Sequence, residues 1–236
     1  MPTLATSDGP IEVAVFAPPG PPRGGVIFYM DAFGLRPELD TMAARFAAAG
    51  YLTFLPDLYH RLKQRHFAVP AHAGAPLDPA IGVANAATTL AMGLADTASV
   101  LAFATDLGIT RLGAGGYCMG ARHALLAAAA FPANIHAAAC LHGGRLVWDG
   151  EDSPHGAIAR VRGELYFAFA ENDETCPSEH HIAIEHALAD RCGPGRAEHY
   201  RATHGWTFPT RWCHDPLLAE RAHEAVLALF GRAMAE

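Results

Sequence analysis

Short, continuous apolar runs recur along the chain and are typical of parallel strands that are covered on both faces. Two such runs occupy residues 25–30 and 51–57, and a third, at 112–117, is rich in glycine. Apolar and polar side chains alternate over residues 11–17, which predicts an edge strand. Further strands are expected at 135–142, 164–170 and 197–203.

Helical patterns lie between these runs. Apolar residues recur at helical spacing over 37–49, and Gly50 then suits a helix C-cap. Residues 79–108 are predicted to be mainly helical, and the Ala/Leu-rich run 123–131 predicts another helix. This alternation of strand and helix predicts an α/β fold, with a doubly wound, mostly parallel sheet that carries helices on both faces.

Length and composition fit one globular domain. The 236 residues are 51% hydrophobic, which is enough for a substantial core, and we expect a single domain over residues 1–236. The 17 basic and 24 acidic residues give a net charge of −7 without a clustered basic face. This balance argues against a nucleic-acid or anionic-membrane partner and favours small molecules.

Targeting signals are not evident in the sequence. The first eight residues have neither a basic nor an apolar region of the kind found in a signal peptide. The longest charge-free apolar stretch, 123–144, is interrupted by polar residues and Pro132, so we predict no membrane span. We expect a cytoplasmic protein that is a monomer or a homodimer.

Cysteine and histidine usage gives little support for a metal site. The five cysteines are widely spaced and form no C-x-x-C pair. The histidine-rich segment 179–186 could place His181 and Glu185 on one helix face, but a solvated polar face explains that spacing better. We therefore predict neither a metal nor an organic cofactor.

The glycine-rich strand ends in a candidate catalytic motif. Residues 116–120 read G-x-C-x-G, which places Cys118 where the nucleophile elbow of α/β-hydrolases has its nucleophile. Such an elbow aims the next backbone N–H, that of Met119, at a developing oxyanion. Two alternatives compete with this interpretation. A dinucleotide-binding loop lacks its third glycine and its acidic ribose ligand, and a buried structural cysteine stays possible.

Candidate partners for Cys118 follow later strands in the order nucleophile, acid, base. Asp173 comes just after the run 164–170, and His204 comes just after the last predicted strand. A thiol nucleophile needs a base and a group that orients the base. Alone, Asp173 could be a helix N-cap and His204 a surface histidine, and Glu171 and Glu174 compete with Asp173.

Five segments together resemble the dienelactone hydrolase (carboxymethylenebutenolidase) family. They are residues 116–120 (GYCMG), 31–34 (DAFG), 56–59 (PDLY) with Arg61, 171–173 (END) and 204–206 (HGW). The resemblance implies an α/β-hydrolase fold in which Cys118 attacks an ester or lactone carbonyl and His204, oriented by Asp173, moves the proton. It also implies an oxyanion hole formed by the backbone N–H groups of Ala32 and Met119.

Two positions depart from the family pattern. Asp31 stands where the family has a glutamate beside the resting thiol. We expect its carboxylate to hydrogen-bond Cys118 and keep the sulfur protonated, or else to cap the loop through Phe33 and Gly34. The family's substrate-binding arginines are also missing, since Phe208 occupies one place and residues 66–109 contain no Lys or Arg. Dienelactone itself is therefore not the expected substrate.

Other side chains are candidates for the substrate pocket, although each could equally belong to the core or the surface. They are Phe33, Tyr59, Arg61, Trp148, Trp206 and Phe208. The resulting prediction is a cysteine-dependent hydrolase of small carboxylic esters or lactones that works through an acyl-enzyme. A thioesterase with the same triad and a non-catalytic ligand-binding protein of the same fold are the alternatives.

Overall fold

The computed structural model describes residues 1–235, and its strands form one sheet. The strands are β1 (Thr3–Thr6), β2 (Gly9–Phe16), β3 (Gly25–Tyr29), β4 (Leu52–Pro56), β5 (Leu112–Tyr117), β6 (Ile135–Leu141), β7 (Glu164–Asn172) and β8 (Gly195–Thr203). Their order is β1-β2-β4-β3-β5-β6-β7-β8. Strands β1 and β2 are antiparallel, and pairing from β4 through β8 is parallel. The predicted mostly parallel sheet is confirmed.

One strand differs from its prediction. The predicted edge strand over 11–17 begins at Gly9 and pairs on both sides, with β1 and with β4. The true edge is β1, a four-residue strand whose side chains alternate between exposed and partly buried. Such a short, half-exposed strand carries too little hydrophobic pattern to be detected from the sequence.

Six α-helices and one 3₁₀ helix accompany the described strands. They are α1 (Pro37–Ala48), α2 (Pro79–Ala87), α3 (Leu90–Asp106), α4 (Met119–Ala130), α5 (Ser178–Asp190), α6 (Pro216–Ala233) and the 3₁₀ helix Pro154–Arg160. The predicted helical stretch 79–108 is thus two helices. The chain breaks at Thr88 and Thr89 because the Thr89 hydroxyl caps α3, accepting a 3.2 Å hydrogen bond from the Met92 N–H.

The helices lie on both faces of the sheet. A Cβ at Gly113 of β5 would overlap the ring of Phe230 on α6, whereas a Cβ at Gly116 would overlap the backbone of α4. Because neighbouring strand residues point to opposite faces, α4 and α6 lie on opposite sides of β5. Helix α1 shares the side of α6, since the rings of Phe46 and Phe230 are 6.0 Å apart. The sheet is therefore doubly wound, as predicted.

Parallel pairing fixes where reactive groups meet. The carboxyl ends of β3, β5, β6, β7 and β8 reach the same edge of the sheet. Among residues 1–235, no single helix is long and apolar enough to cross a membrane, and only the bent pair α2 and α3 passes that test by length and composition.

Candidate active site

Cys118 stands in the sharp turn between β5 and α4. Its φ of 53° lies in the left-handed region, which a residue with a Cβ occupies only under strain of about 1–3 kcal/mol. Two glycines permit the turn, because a Cβ at Gly116 would overlap the Gly120 carbonyl and one at Gly120 would lie 2.7 Å from the Met30 carbonyl oxygen. The strand-to-helix turn thus exposes the sulfur to a cavity above the sheet.

Asp173 and His204 meet at the carboxyl ends of β7 and β8. The His204 Nδ1 and an Asp173 carboxylate oxygen are 2.6 Å apart. The other carboxylate oxygen accepts hydrogen bonds from the Thr175 N–H at 2.9 Å and the Thr175 hydroxyl at 2.7 Å. These bonds fix the carboxylate, which in turn orients the imidazole ring. The N-cap of α5 is Pro177 and not Asp173, and the His204 ring is held by a carboxylate and is not a free surface side chain.

The electrostatics of the site favour a thiolate and an imidazolium. Burial raises the pKa of the Cys118 thiol, but the adjacent charge of His204 outweighs burial and the net pKa is lowered. Burial likewise disfavours a charged His204, yet the Cys118 charge and the Asp173 hydrogen bond raise its pKa to about 10. The pKa of Asp173 is lowered against its own burial by the hydrogen bond and charge of His204.

Asp31 is not positioned as the predicted thiol partner. Its carboxylate accepts hydrogen bonds from Arg36 at 2.7 Å, from Arg211 at 2.8 Å and from the Phe33 N–H at 3.0 Å. These donors occupy both oxygens, and no hydrogen bond joins Asp31 to Cys118 in residues 1–235. The loop-capping alternative therefore describes the observed contact. The expected repulsion is present, since the Asp31 charge raises the pKa of Cys118, but His204 outweighs it.

Two backbone amides beside the sulfur lack acceptors. Ala32 and Met119 line the same cavity as Cys118, and neither N–H donates a hydrogen bond within the described residues. Tyr59 contacts both segments, the loop that contains Ala32 and the start of α4. Its hydroxyl donates to the Ala32 carbonyl at 3.1 Å and lies 3.4 Å from the Met119 sulfur. Both N–H groups are thus available to an oxyanion at the carbonyl carbon that the sulfur would attack.

The cavity next to Cys118 has a volume of about 230 Å³. Its lining residues come from six segments around the elbow, and they are Ala32, Phe33, Leu77, Ile81, Asn85, Cys118, Met119, Arg122, Gly144, Arg145, Thr175, His204 and Arg211. Of the predicted pocket residues, this set contains only Phe33. A volume of this size suits a small molecule.

The other predicted pocket residues lie elsewhere for identifiable reasons. Tyr59 is fully buried behind the oxyanion amides. Arg61 forms ion pairs with Asp8 and with buried Asp96, which tie the N-terminal region to α3. Trp148 donates its indole N–H to Asp152 at 2.8 Å in a surface loop.

The last two predicted pocket residues belong to the core beneath His204. Trp206 stacks on Tyr200 with ring centroids 5.0 Å apart, and both Trp206 and Phe208 pack against the ring of His142. Trp206 and Phe208 are completely buried. They support the loop that carries His204 and do not reach the cavity.

Sequence reasoning missed most of the residues that line the cavity. Leu77, Ile81 and Asn85 come from a stretch without clear periodicity, so no signal pointed to them. Arg122 did leave a signal, because a residue four positions after Cys118 on a helix lies on the same face one turn away. His181, weighed above as a solvated residue, is instead buried and stacks on Phe169 at 4.1 Å.

Comparison with known proteins identifies the family and the fold of the chain. A sequence model of the dienelactone hydrolase family matches residues 11–234. Curated proteins give no match. A dienelactone hydrolase-like promiscuous phosphotriesterase from metagenomic libraries is similar with a TM-score of 0.78 and 19% identity, covering 98% of this chain and 97% of its own.

Two further solved structures show the same fold. Dienelactone hydrolase from Anabaena variabilis has a TM-score of 0.68 and 16% identity, over 99% of this chain and 96% of its own. Est1E from Butyrivibrio proteoclasticus, solved with ferulic acid, has a TM-score of 0.68 and 15% identity, over 98% of this chain and 100% of its own. Because the family match spans nearly the whole sequence, the chain belongs to the dienelactone hydrolase family of ester and lactone hydrolases.

Proposed function

We propose that the protein hydrolyses small carboxylic esters or lactones through an acyl-enzyme on Cys118. The observation that carries the proposal is the convergence of a strained, glycine-flanked thiol with the Asp173–His204 pair at one cavity. A nucleophile, an oriented base and unpaired N–H donors are the parts that acyl transfer requires. The limited cavity volume supports a small substrate.

The first half of the reaction begins from the thiolate–imidazolium pair. The Cys118 sulfur attacks the carbonyl carbon, and the oxyanion that forms accepts hydrogen bonds from the Ala32 and Met119 N–H groups. As the tetrahedral intermediate collapses, the bond to the alcohol oxygen breaks and His204 gives that oxygen its proton. An alcohol, or the free hydroxyl end of an opened lactone, and a thioester on Cys118 result.

The second half restores the enzyme. His204, now neutral, removes a proton from water as the water oxygen attacks the thioester carbonyl. Collapse of the second intermediate expels the Cys118 thiolate and releases the acid. Asp173 keeps the imidazole ring oriented throughout, and its negative charge stabilises the imidazolium in both halves. Every proton transfer in this scheme uses side chains of the chain itself.

Stopped-flow measurement with para-nitrophenyl acetate tests the proposal. Wild-type enzyme should release a burst of about one nitrophenolate per site before steady turnover, because acylation precedes hydrolysis of the thioester. Cys118→Ala should lose the burst and lower kcat/KM at least about a thousandfold. Cys192→Ala, which changes an exposed thiol, is the matched control and should behave as wild type. A burst that survives in Cys118→Ala would refute the proposal.

A further inference from the structure

A second cavity, of about 170 Å³, lies between the sheet, α1 and α6. Tyr117 at the end of β5 lines it and points to the same face as Gly113, because side chains alternate along a strand. Gly113 faces Phe230 of α6, whereas the cavity beside Cys118 lies at the start of α4. The two cavities have no lining residue in common, so the second is a separate candidate site.

Two polar side chains in this lining have no hydrogen-bond partner within residues 1–235. They are the Tyr117 hydroxyl and the His223 imidazole, on residues that are 3% and 8% exposed. Neither group is among the unpartnered side-chain atoms that are completely enclosed, so the small exposed area of each is accessible from the cavity. Hydroxyl and imidazole groups that leave water normally have a partner. A molecule in the cavity would supply one.

Charged groups at the exposed edge of the cavity offset each other. Arg45 of α1 and Glu220 of α6 form an ion pair in which the nitrogen and the oxygen are 2.5 Å apart. Deeper in the lining, the Thr207 hydroxyl is already engaged, since it lies 2.7 Å from Nε2 of His142. The cavity thus offers hydrogen-bonding groups without an unpaired charge at its entrance, which favours a neutral ligand.

Protonation of the two unpartnered groups defines which ligand group suits them. Burial raises the pKa of Tyr117, so its hydroxyl keeps the proton and can donate it in a hydrogen bond. Burial lowers the pKa of His223 to about 4, so the neutral ring offers one N–H and one acceptor nitrogen near pH 7. A hydroxyl on the ligand suits either group, because it both donates and accepts.

Size and apolar surface define the rest of the ligand. Most of the other lining side chains are apolar, among them Met42, Leu141, Pro209, Pro216 and Ala219. An apolar cavity of about 150 Å³ is large enough to hold benzene. The volume of about 170 Å³ therefore fits one six-membered ring with a small substituent.

We propose that this second cavity binds a small neutral ring compound that carries a hydroxyl group, such as a phenol, through Tyr117 and His223. The site goes beyond the proposed hydrolysis and uses no residue of the candidate active site, so either proposal can fail alone. A bound molecule would contact segments that also carry Cys118 and His204, because Tyr117 directly precedes the thiol and Thr207 follows the histidine by three residues.

Methyl NMR of protein labelled with ¹³C-methyl methionine tests the proposal. Met42 lines the second cavity and Met119 lines the cavity beside Cys118, so their signals report the two cavities separately. Phenol is the probe. We expect the Met42 signal to shift along a saturable one-site curve with a Kd of about 1 mM or below. A Met42 signal that stays unchanged up to about 20 mM phenol, or moves only in step with a larger shift at Met119, would overturn the proposal.

Comparison of phenol with benzene isolates the contribution of the hydrogen bond. Tyr117→Phe keeps the ring and removes the hydroxyl, so it should raise the Kd of phenol about 3- to 10-fold and leave that of benzene within about twofold. Tyr166→Phe is the matched control, because it removes a buried hydroxyl that lies outside the cavity and is 2.8 Å from the Tyr200 hydroxyl. It should change neither Kd. An unchanged Kd of phenol in Tyr117→Phe, or an equal change for both probes, would contradict the assigned contact.

A larger side chain in the wall of the cavity provides the second variant. Ala219 of α6 lines the cavity and is 8% exposed, so Ala219→Leu places extra carbon atoms in the space that the ring would occupy. We expect this variant to abolish the saturable shift of Met42 with phenol and with benzene alike. Binding of both probes with wild-type Kd in Ala219→Leu would place them elsewhere and overturn the proposal.

Discussion

Cys118 differs from the buried thiols Cys140 and Cys176 because its surroundings favour ionisation. Burial raises the pKa of Cys176 to about 12 and also raises the pKa of Cys140. Desolvation also raises the pKa of Cys118, but the neighbouring charge of His204 outweighs it, so the net pKa is lowered. A thiolate at this position is both the nucleophile and the species that reacts with alkylating agents. Cys118 should therefore be far more reactive than Cys140 and Cys176.

The pH dependence of alkylation follows from these directions. Because its pKa is lowered, the Cys118 thiol stays ionised to a lower pH than an ordinary thiol does, and it loses its charge only below that lowered pKa. We predict that the iodoacetamide labelling rate of Cys118 reaches half of its plateau at a lower pH than that of free cysteine, while Cys140 and Cys176 stay unlabelled in the folded protein. Peptide mapping by mass spectrometry gives each rate. A Cys118 rate whose midpoint lies at or above the pH midpoint of free cysteine would contradict the ion pair.

Removing the negative charge of Asp173 should impair catalysis and leave folding intact. Asp173→Asn keeps the shape but takes away the charge that raises the pKa of His204, so the imidazolium and the thiolate both lose stabilisation. We predict that kcat falls by about 10⁴-fold with little change in the melting temperature. Glu171→Gln, on an exposed neighbour, is the control and should have little effect. An equal loss of kcat in both variants would mean that Asp173 had been wrongly assigned as the acid.

At the scale of elements, the site depends on close contact between β3, β5 and the start of α4. Gly120 lies against the backbone carbonyls of Tyr29 and Met30 at the end of β3. That contact brings the loop containing Ala32 next to the N–H of Met119. A tight backbone crossing therefore places both oxyanion amides, and glycine is the residue that permits it.

Adding one methyl group at this crossing should be costly. The Cβ of Gly120→Ala would lie 2.7 Å from the Met30 oxygen, which forces β3 and α4 apart. We predict a loss of about 1–3 kcal/mol in the free energy of unfolding, together with a large fall in kcat. Gly82→Ala, in open space on α2, is the matched control and should be neutral or stabilise by about 0.5–1 kcal/mol. Urea unfolding of both variants measures the difference, and equal stabilities would contradict this description of the crossing.

The sequence predicted elements wherever hydrophobic burial dominated the local pattern. The runs at 25–30 and 112–117 became central strands, and the post-strand positions of Asp173 and His204 brought them together at one edge. The cavity wall was less predictable. Helix α2 faces the site with side chains of ordinary composition, and the contact between Asn85 and Arg122 joins residues 37 positions apart. Long-range packing of that kind leaves no periodic signal in one sequence.

The assignment of aromatic residues failed for a related reason. Large rings near a predicted site are as suitable for its supporting core as for its surface, and Trp206 and Phe208 proved to be fully buried beneath His204. Asp31 was misplaced because the sequence did not reveal that Arg36 and Arg211 would converge on it. Two guanidinium groups held at 2.7 and 2.8 Å satisfy a carboxylate better than a thiol can.

At the scale of the whole molecule, several of the 14 histidines are buried and uncharged. Burial lowers the pKa of His123 to about 3 and that of His223 to about 4, and it also lowers the pKa of His142 well below its usual value. His204 is the opposite case, because its partners raise its pKa to about 10. The fold thus keeps one imidazole charged and a group of others neutral.

These depressed values imply that acid weakens the fold. Between pH 6.5 and the folded-state pKa values, these histidines bind protons in the unfolded chain but stay neutral in the folded protein. The free energy of unfolding therefore falls as the pH falls. Each such histidine contributes up to about 1.4 kcal/mol per pH unit. We predict that His123→Phe reduces the slope of stability between pH 6.5 and pH 4, whereas His72→Gln, on an exposed loop, does not. Identical slopes for wild type and His123→Phe in urea titrations would disprove the assignment.

The central claim is that Cys118 carries the acyl group. The most direct measurement is the mass of the intact protein after rapid acid quenching of its reaction with para-nitrophenyl acetate, followed by peptide mapping. The mechanism predicts one added acetyl group, located on the peptide that contains Cys118, formed at the rate of the nitrophenolate burst and absent in Cys118→Ala. An acetyl group on another residue at that rate, or a full burst without any acyl adduct, would contradict the mechanism.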